Sequence, residues 1–116
     1  MKKNLLAILC AIALVSCSSE SEIAKETAKF TVYGNCEMCE KTIEGSLVDV
    51  EGVSSADWNV ETDEMTVGFD PEVITLDQIK QRIADVGYDS DSHRATDEVY
   101  NNLHGCCKYE RPEKQI

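Results

Sequence analysis

Positive charge is scarce in this chain: 11 lysines and arginines stand against 22 aspartates and glutamates, for a formal net charge of −11. So acidic a surface excludes nucleic acid as a natural partner and argues against a protein that lies flat on anionic lipid. Long hydrophobic runs are missing too. The apolar stretch from Leu5 to Val15 is too short to span a bilayer as a helix. There is no internal repeat, and 116 residues leave no room for a second core once the N-terminal segment is set aside.

That segment reads as an address. Lys2 and Lys3 precede the apolar run, as in a secretory signal, and Leu14-Val15-Ser16-Cys17 resembles the lipobox of bacterial lipoproteins. The resemblance implies a signal peptide over 1–16, loss of Cys10 with it, and lipid attachment at Cys17. The mature chain would then hold 116 − 16 = 100 residues, with 11 − 2 = 9 basic against 22 acidic side chains, a charge of about −13. Residues 17–27, with Ser18-Ser19-Glu20-Ser21-Glu22, have the composition of a flexible acidic tether. Acidic residues behind a lipidated cysteine also resemble an export signal for surface lipoproteins of some Gram-negative bacteria. The expected location is the cell envelope, lipid-anchored at the outer membrane on its periplasmic or outer face, with no other membrane contact.

Cys36 and Cys39, in Tyr33-Gly34-Asn35-Cys36-Glu37-Met38-Cys39, carry most of the functional information. They lie between a strand-like run, Lys29 to Tyr33, and a helix-like run, Glu40 to Leu47. At a helix N-terminus the macrodipole and unpaired backbone N–H groups favour thiolate. Such soft ligands select Cu(I) first and also suit Hg(II) or Zn(II). Two ligands fit the near-linear coordination of Cu(I) and Hg(II), whereas structural zinc wants four. An open pair of sulfurs lets an incoming thiol join and displace, which favours a carrier over a store. Glu37, Glu40 and Glu44 flank the pair with Lys41 as the nearby base, so a metal donor or acceptor would dock through a basic surface. A thiol–disulfide oxidoreductase also uses such a pair. The thioredoxin-like fold needs a longer chain and a proline facing the cysteines, and Pro71 and Pro112 are the only prolines.

From residue 28 the periodicity predicts strand, helix, strand, strand, helix, strand. Phe30 and Val32 alternate with polar neighbours in the first strand; Cys39, Ile43, Leu47 and Val50 share one helical face that ends before Gly52. Ala56, Trp58 and Val60, then Met65, Val67 and Phe69, form a hairpin closed by Asp70-Pro71. Thr75-Leu76-Asp77-Gln78 has capping-box spacing ahead of a second helix carrying Leu76, Ile79, Ile83 and Val86, which stops at Gly87. A fourth strand is expected over Tyr88 to His93. This order describes a ferredoxin-like βαββαβ sandwich of the α+β class, an antiparallel four-stranded sheet with two helices on one face.

On the CxxC loop, Glu51-Gly52-Val53, Thr66-Val67-Gly68-Phe69-Asp70-Pro71 and Val86-Gly87-Tyr88, residues 28–93 resemble a heavy-metal-associated domain, the module of copper chaperones, copper-transporting ATPases and the periplasmic mercury-binding protein. The resemblance implies a metal carried by Cys36 and Cys39, with Tyr88 beside the metal loop or simply capping the core below it. Most of the family places a buried methionine where Gly34 stands. Met38, between the cysteines, is read as facing solvent or a partner in preference to binding metal.

Residues 94–116 form a cysteine-bearing tail beyond that resemblance. Thr96 is placed to cap a short helix that leads to His104-Gly105-Cys106-Cys107. The twelve residues from Arg94 to Gly105 reach about 40 Å extended, or about 20 Å if half are helical, enough to return to the loop. Three readings of Cys106 and Cys107 stand open: extra ligands for one shared site, a disulfide, or a separate weak site with His104. His93 is read as a surface residue at a strand end.

Overall fold

The computed structural model describes residues 24–113. The signal-like segment, Cys17 and the tether up to residue 23 lie outside the described residues. Among the described residues no helix is long and apolar enough to cross a membrane.

Strand β1 (Glu26–Thr31), helix α1 (Glu37–Gly45), strands β2 (Val53–Trp58) and β3 (Glu64–Phe69) and helix α2 (Leu76–Asp85) follow the expected order. A short helix α3 (Asp97–Asn101) and a 3₁₀ turn (Gly105–Cys107) then complete the chain. The sheet is antiparallel with order β1-β3-β2, and Val67 of β3 faces Ala28 on one side and Ala56 on the other. β1 begins inside the expected tether. Glu26 and Thr27 have little apolar character, but β3 offers them ladder partners at Phe69 and Gly68.

The hairpin turns earlier than the alternation implies. Asn59 accepts the N–H groups of Glu61 (2.8 Å) and Thr62 (3.1 Å) on its side-chain oxygen, which ends β2 at Trp58 and leaves Val60 exposed. α1 also stops early, since the Ser46 hydroxyl donates to the Ile43 carbonyl at 2.7 Å; Leu47 still reaches the core from the following turn. α2 carries the full capping box, Thr75 accepting from the Gln78 N–H while the Gln78 side chain accepts from the Thr75 N–H. Ile43 and Leu47 from the first helical segment, Ile79 and Ile83 from α2, and Phe30, Trp58, Met65 and Val67 from the sheet join one buried cluster.

The fourth strand is not formed. In its place a single bridge joins Val32 and Ser90, flanked by Tyr33 N–H to Asp89 carbonyl (2.9 Å) and Asp91 N–H to Thr31 carbonyl (3.1 Å). Two forces pull the segment out of the ladder. The Ser90 N–H turns back to the His93 carbonyl at 2.8 Å, and the Asp89 side chain is buried against groups of the tail. The sheet therefore has three strands and a rudiment of the fourth, on the edge beside β1.

The tail is part of the core. Tyr109 is 2 % exposed; its hydroxyl accepts from the Asp89 N–H (2.9 Å) and donates to the Gly87 carbonyl (2.8 Å), and its ring stacks on Tyr88 at 5.5 Å. Arg111 grips the Asp89 carboxylate through Nε and Nη2, each at 2.9 Å, and Ala95 donates its N–H to the same group. Gly87, at φ +108, lets Leu103 pack so close that a Cβ there would stand 2.9 Å from Leu103 Cδ2.

Candidate metal centre

Cys36 caps α1 in an extended conformation, with no side-chain capping bond, so its sulfur is free to lie over the first turn. Its Sγ stands 3.7 Å from Cys39 Sγ, one helical turn on. Cys39 is fully buried and receives the Asn35 N–H at 3.4 Å, which holds the loop down on the core. The backbone N–H of Cys39 lowers the Cys36 pKa from the ordinary thiol value, aided by the Met38 N–H and opposed by partial burial.

Gly34 explains how the loop is supported without a methionine. A Cβ at this position would meet the Trp58 ring at 2.9 Å, so the indole fills the space beneath the loop, and its Nε1–H donates to the Val32 carbonyl at 2.8 Å. Trp58 was visible in the sequence only as a core residue of the hairpin.

Both tail cysteines return to this end of the molecule. Cys36, Cys106 and Cys107 place their sulfurs within 4.8 Å of one another, with Cys106 and Cys107 4.0 Å apart. The Cys106 carbonyl accepts from Asn35 Nδ2 at 3.3 Å, and Cys106 Sγ lies 3.8 Å from Met38 Sδ. Met38 is exposed, at 45 %, as its position between the cysteines implied, and its sulfur touches the tail at Cys106. Among the described residues all four cysteines, Cys36, Cys39, Cys106 and Cys107, are free thiols. Burial pushes the Cys107 thiol up to about 12, while Tyr88 beside it lowers it.

Tyr88 is fully buried next to Cys39 and Cys107, and its hydroxyl has no hydrogen-bond partner. Burial raises its pKa above the ordinary phenol value, and the two sulfurs raise it further, so it stays a neutral donor. A buried donor with nothing to bond costs about 1–3 kcal/mol unless an acceptor such as a thiolate appears beside it. The histidines lie elsewhere. His93 bonds Asp77 at 2.9 Å, and His104 is exposed and joins no ligand group among the described residues. Beside the loop, Glu40, Glu44 and Asp57 gather their carboxylates within 4.8 Å. Hydrogen bonding and repulsion from Glu44 raise the Glu40 pKa, while Glu44 itself accepts the Trp58 N–H at 2.9 Å.

Comparison with known proteins agrees with this geometry. The heavy-metal-associated domain pattern matches residues 35–89, which leaves Cys106 and Cys107 outside it. The copper chaperone CopZ of Staphylococcus saprophyticus is 38 % identical over 55 residues, which are 47 % of this chain and 81 % of that protein. Among solved structures, a CopZ metallochaperone superposes with TM-score 0.54 at 33 % identity, over 56 % of this chain and 98 % of that one. The N-terminal domain of a potential copper-translocating P-type ATPase from Bacillus subtilis, in its Cu(I)-loaded state, gives 0.53 at 27 % identity over 60 % and 96 %. With four fifths of the staphylococcal chaperone spanned at that identity, the chain belongs to the heavy-metal-associated domain family.

Proposed function

We propose that the protein carries Cu(I) in the bacterial envelope, taking it up and passing it on through Cys36 and Cys39, and that Cys17 ties it to the membrane by a lipid. The observation that carries the reading is the sulfur pair itself: 3.7 Å apart at the first turn of α1, one sulfur acidified by helix N–H groups and the other buried against the core. Cu(I) is cargo, and the chain's part is to offer thiolates at low energetic cost and hold them at fixed spacing. The copper-chaperone relatives and the Cu(I)-loaded ATPase domain support copper over Hg(II) or Zn(II). Transfer proceeds by ligand exchange at Cys36, the partly exposed sulfur of the pair, while Cys39 stays anchored in the core. The carboxylates of Glu40, Glu44 and Asp57 give that partner an acidic surface on which a basic one would dock.

Competition against a calibrated Cu(I) chelator tests the assignment. Cys36→Ser and Cys39→Ser should each bind Cu(I) markedly more weakly, because each removes one of the two loop thiolates that hold the ion. Binding by Cys36→Ser as tight as the parent's would place the site elsewhere.

A further inference from the structure

We infer that the tail closes the loop site, so that Cys106 and Cys107 join the Cys36/Cys39 pair as direct ligands and the protein holds its soft metal ion with three or more sulfurs. The inference rests on the reading of Cys36 and Cys39 as ligands and adds to it two residues beyond the family match.

Sulfur spacing is the first argument. Thiolates bound at about 2.3 Å stand about 4.6 Å apart in a linear site, about 4.0 Å in a trigonal one and about 3.8 Å in a tetrahedral one. The loop pair is 3.7 Å apart and the tail pair 4.0 Å, while Cys36, Cys106 and Cys107 all fall within 4.8 Å. The two bonded-range pairs are closer than a linear site allows and match trigonal or tetrahedral spacing, and Cys36, which belongs to the loop pair, is the sulfur that the two tail thiols gather around.

Placement of the tail is the second. A loose tail would not bring adjacent cysteines to the loop, but this one is fastened on both sides of them. Leu103 packs into the space left by Gly87, and Tyr109 and Arg111 are bound to Gly87 and Asp89. Asn35 of the loop donates to the Cys106 carbonyl, which sets the turn directly over Cys36. The third argument is Tyr88: its buried, unpartnered hydroxyl lies beside one loop sulfur and one tail sulfur, where metal-bound thiolates would accept its proton as a hydrogen bond.

Closure changes the protein's behaviour. Cu(I) held by three thiolates is retained more firmly than in an open pair, and an acceptor must displace the tail before it can take the ion. The step is a ligand exchange with no change of oxidation state.

The test loads the reduced full chain anaerobically with one equivalent of Cu(I) and reads the sulfur coordination number by X-ray absorption, a measurement that needs no variant. Three or four sulfurs are expected. In Cys106→Ser/Cys107→Ser the number should fall to two, with affinity reduced by at least the roughly tenfold that loss of a mere supporting partner costs a metal site. Cys106→Ser alone, at an exposed position, guards against a folding artefact and should weaken binding in the same direction. Two-coordinate copper in the parent overturns the inference. So does unchanged affinity in the tail variants, and if Cys36→Ser then abolishes binding, the loop carrier survives without its tail. Full binding by Cys36→Ser would instead remove the loop assignment and this inference with it.

Discussion

Arg111→Ala should undo the tail. The Asp89 carboxylate is 1 % exposed, and Arg111 supplies two of its hydrogen bonds while also donating to the Ala95 carbonyl at 2.6 Å and to Asp97 at 2.8 Å. Removing the guanidinium leaves the carboxylate with the Ala95 N–H at 2.7 Å and Arg94 at 3.8 Å. Breaking one side of a buried pair costs about 3–5 kcal/mol, and the partial cover from Arg94 places this case near the lower figure. For a domain of this size about 3 kcal/mol lowers the melting temperature by about 12–24 °C. Loss of the Arg111 stack on Tyr100, 4.6 Å from the ring centroid, acts in the same direction. Urea unfolding followed through Trp58 fluorescence gives the free energy, and alkylation of Cys107 in the folded protein reports whether the tail has lifted. A loss below about 1 kcal/mol with Cys107 still protected would refute the view that this ion pair fastens the tail.

Gly34→Ala should destabilise the apoprotein by about 1–3 kcal/mol through overpacking against Trp58 and shift the loop enough to weaken Cu(I) binding, as read by thermal melts and chelator competition. In the reduced apoprotein at neutral pH, iodoacetamide should modify Cys36 well before Cys107, because helix N–H groups acidify the first while burial raises the second; peptide mapping gives the order. The raised Cys107 pKa also fixes a sign. Below about pH 9 the thiol is protonated in folded and unfolded chains alike and its contribution is fully present; between 9 and about 12 the unfolded chain ionises first and that contribution is lost. Apoprotein stability should therefore fall across that window more steeply in the parent than in Cys107→Ala. Thr75→Ala, which removes the capping box of α2, should cost about 1 kcal/mol in urea unfolding and leave metal affinity unchanged.

Features set by local chemistry were legible in the sequence. Thr75 and Thr96 cap α2 and α3 where their spacing placed them, and the thiol pair sits at the start of α1 because Cys36 ends the extended segment. Those set by partners far along the chain were not. The fourth strand gives way to a bridge because Asp89 is held by Arg111, a bond between residues 22 apart that no local pattern announces. Glu26 and Thr27 enter β1 because the last two residues of β3, Phe69 and Gly68, stand opposite them, and their polar side chains hide that in the sequence. The support under Gly34 comes from Trp58 across the hairpin, so the loop's departure from the family pattern was visible but its remedy was not. Tail length and cysteine placement made the fold-back of Cys106 and Cys107 readable, whereas the fastening by Tyr109 depends on ring packing that sequence spacing does not encode.

Metal-to-protein stoichiometry on anaerobically purified, reduced protein measures directly whether the loop thiols bind a soft metal ion. One Cu(I) per chain is expected, retained through gel filtration by the parent and lost from the Cys36→Ser/Cys39→Ser variant. A parent that emerges without copper, or a variant that keeps a full equivalent, would contradict it.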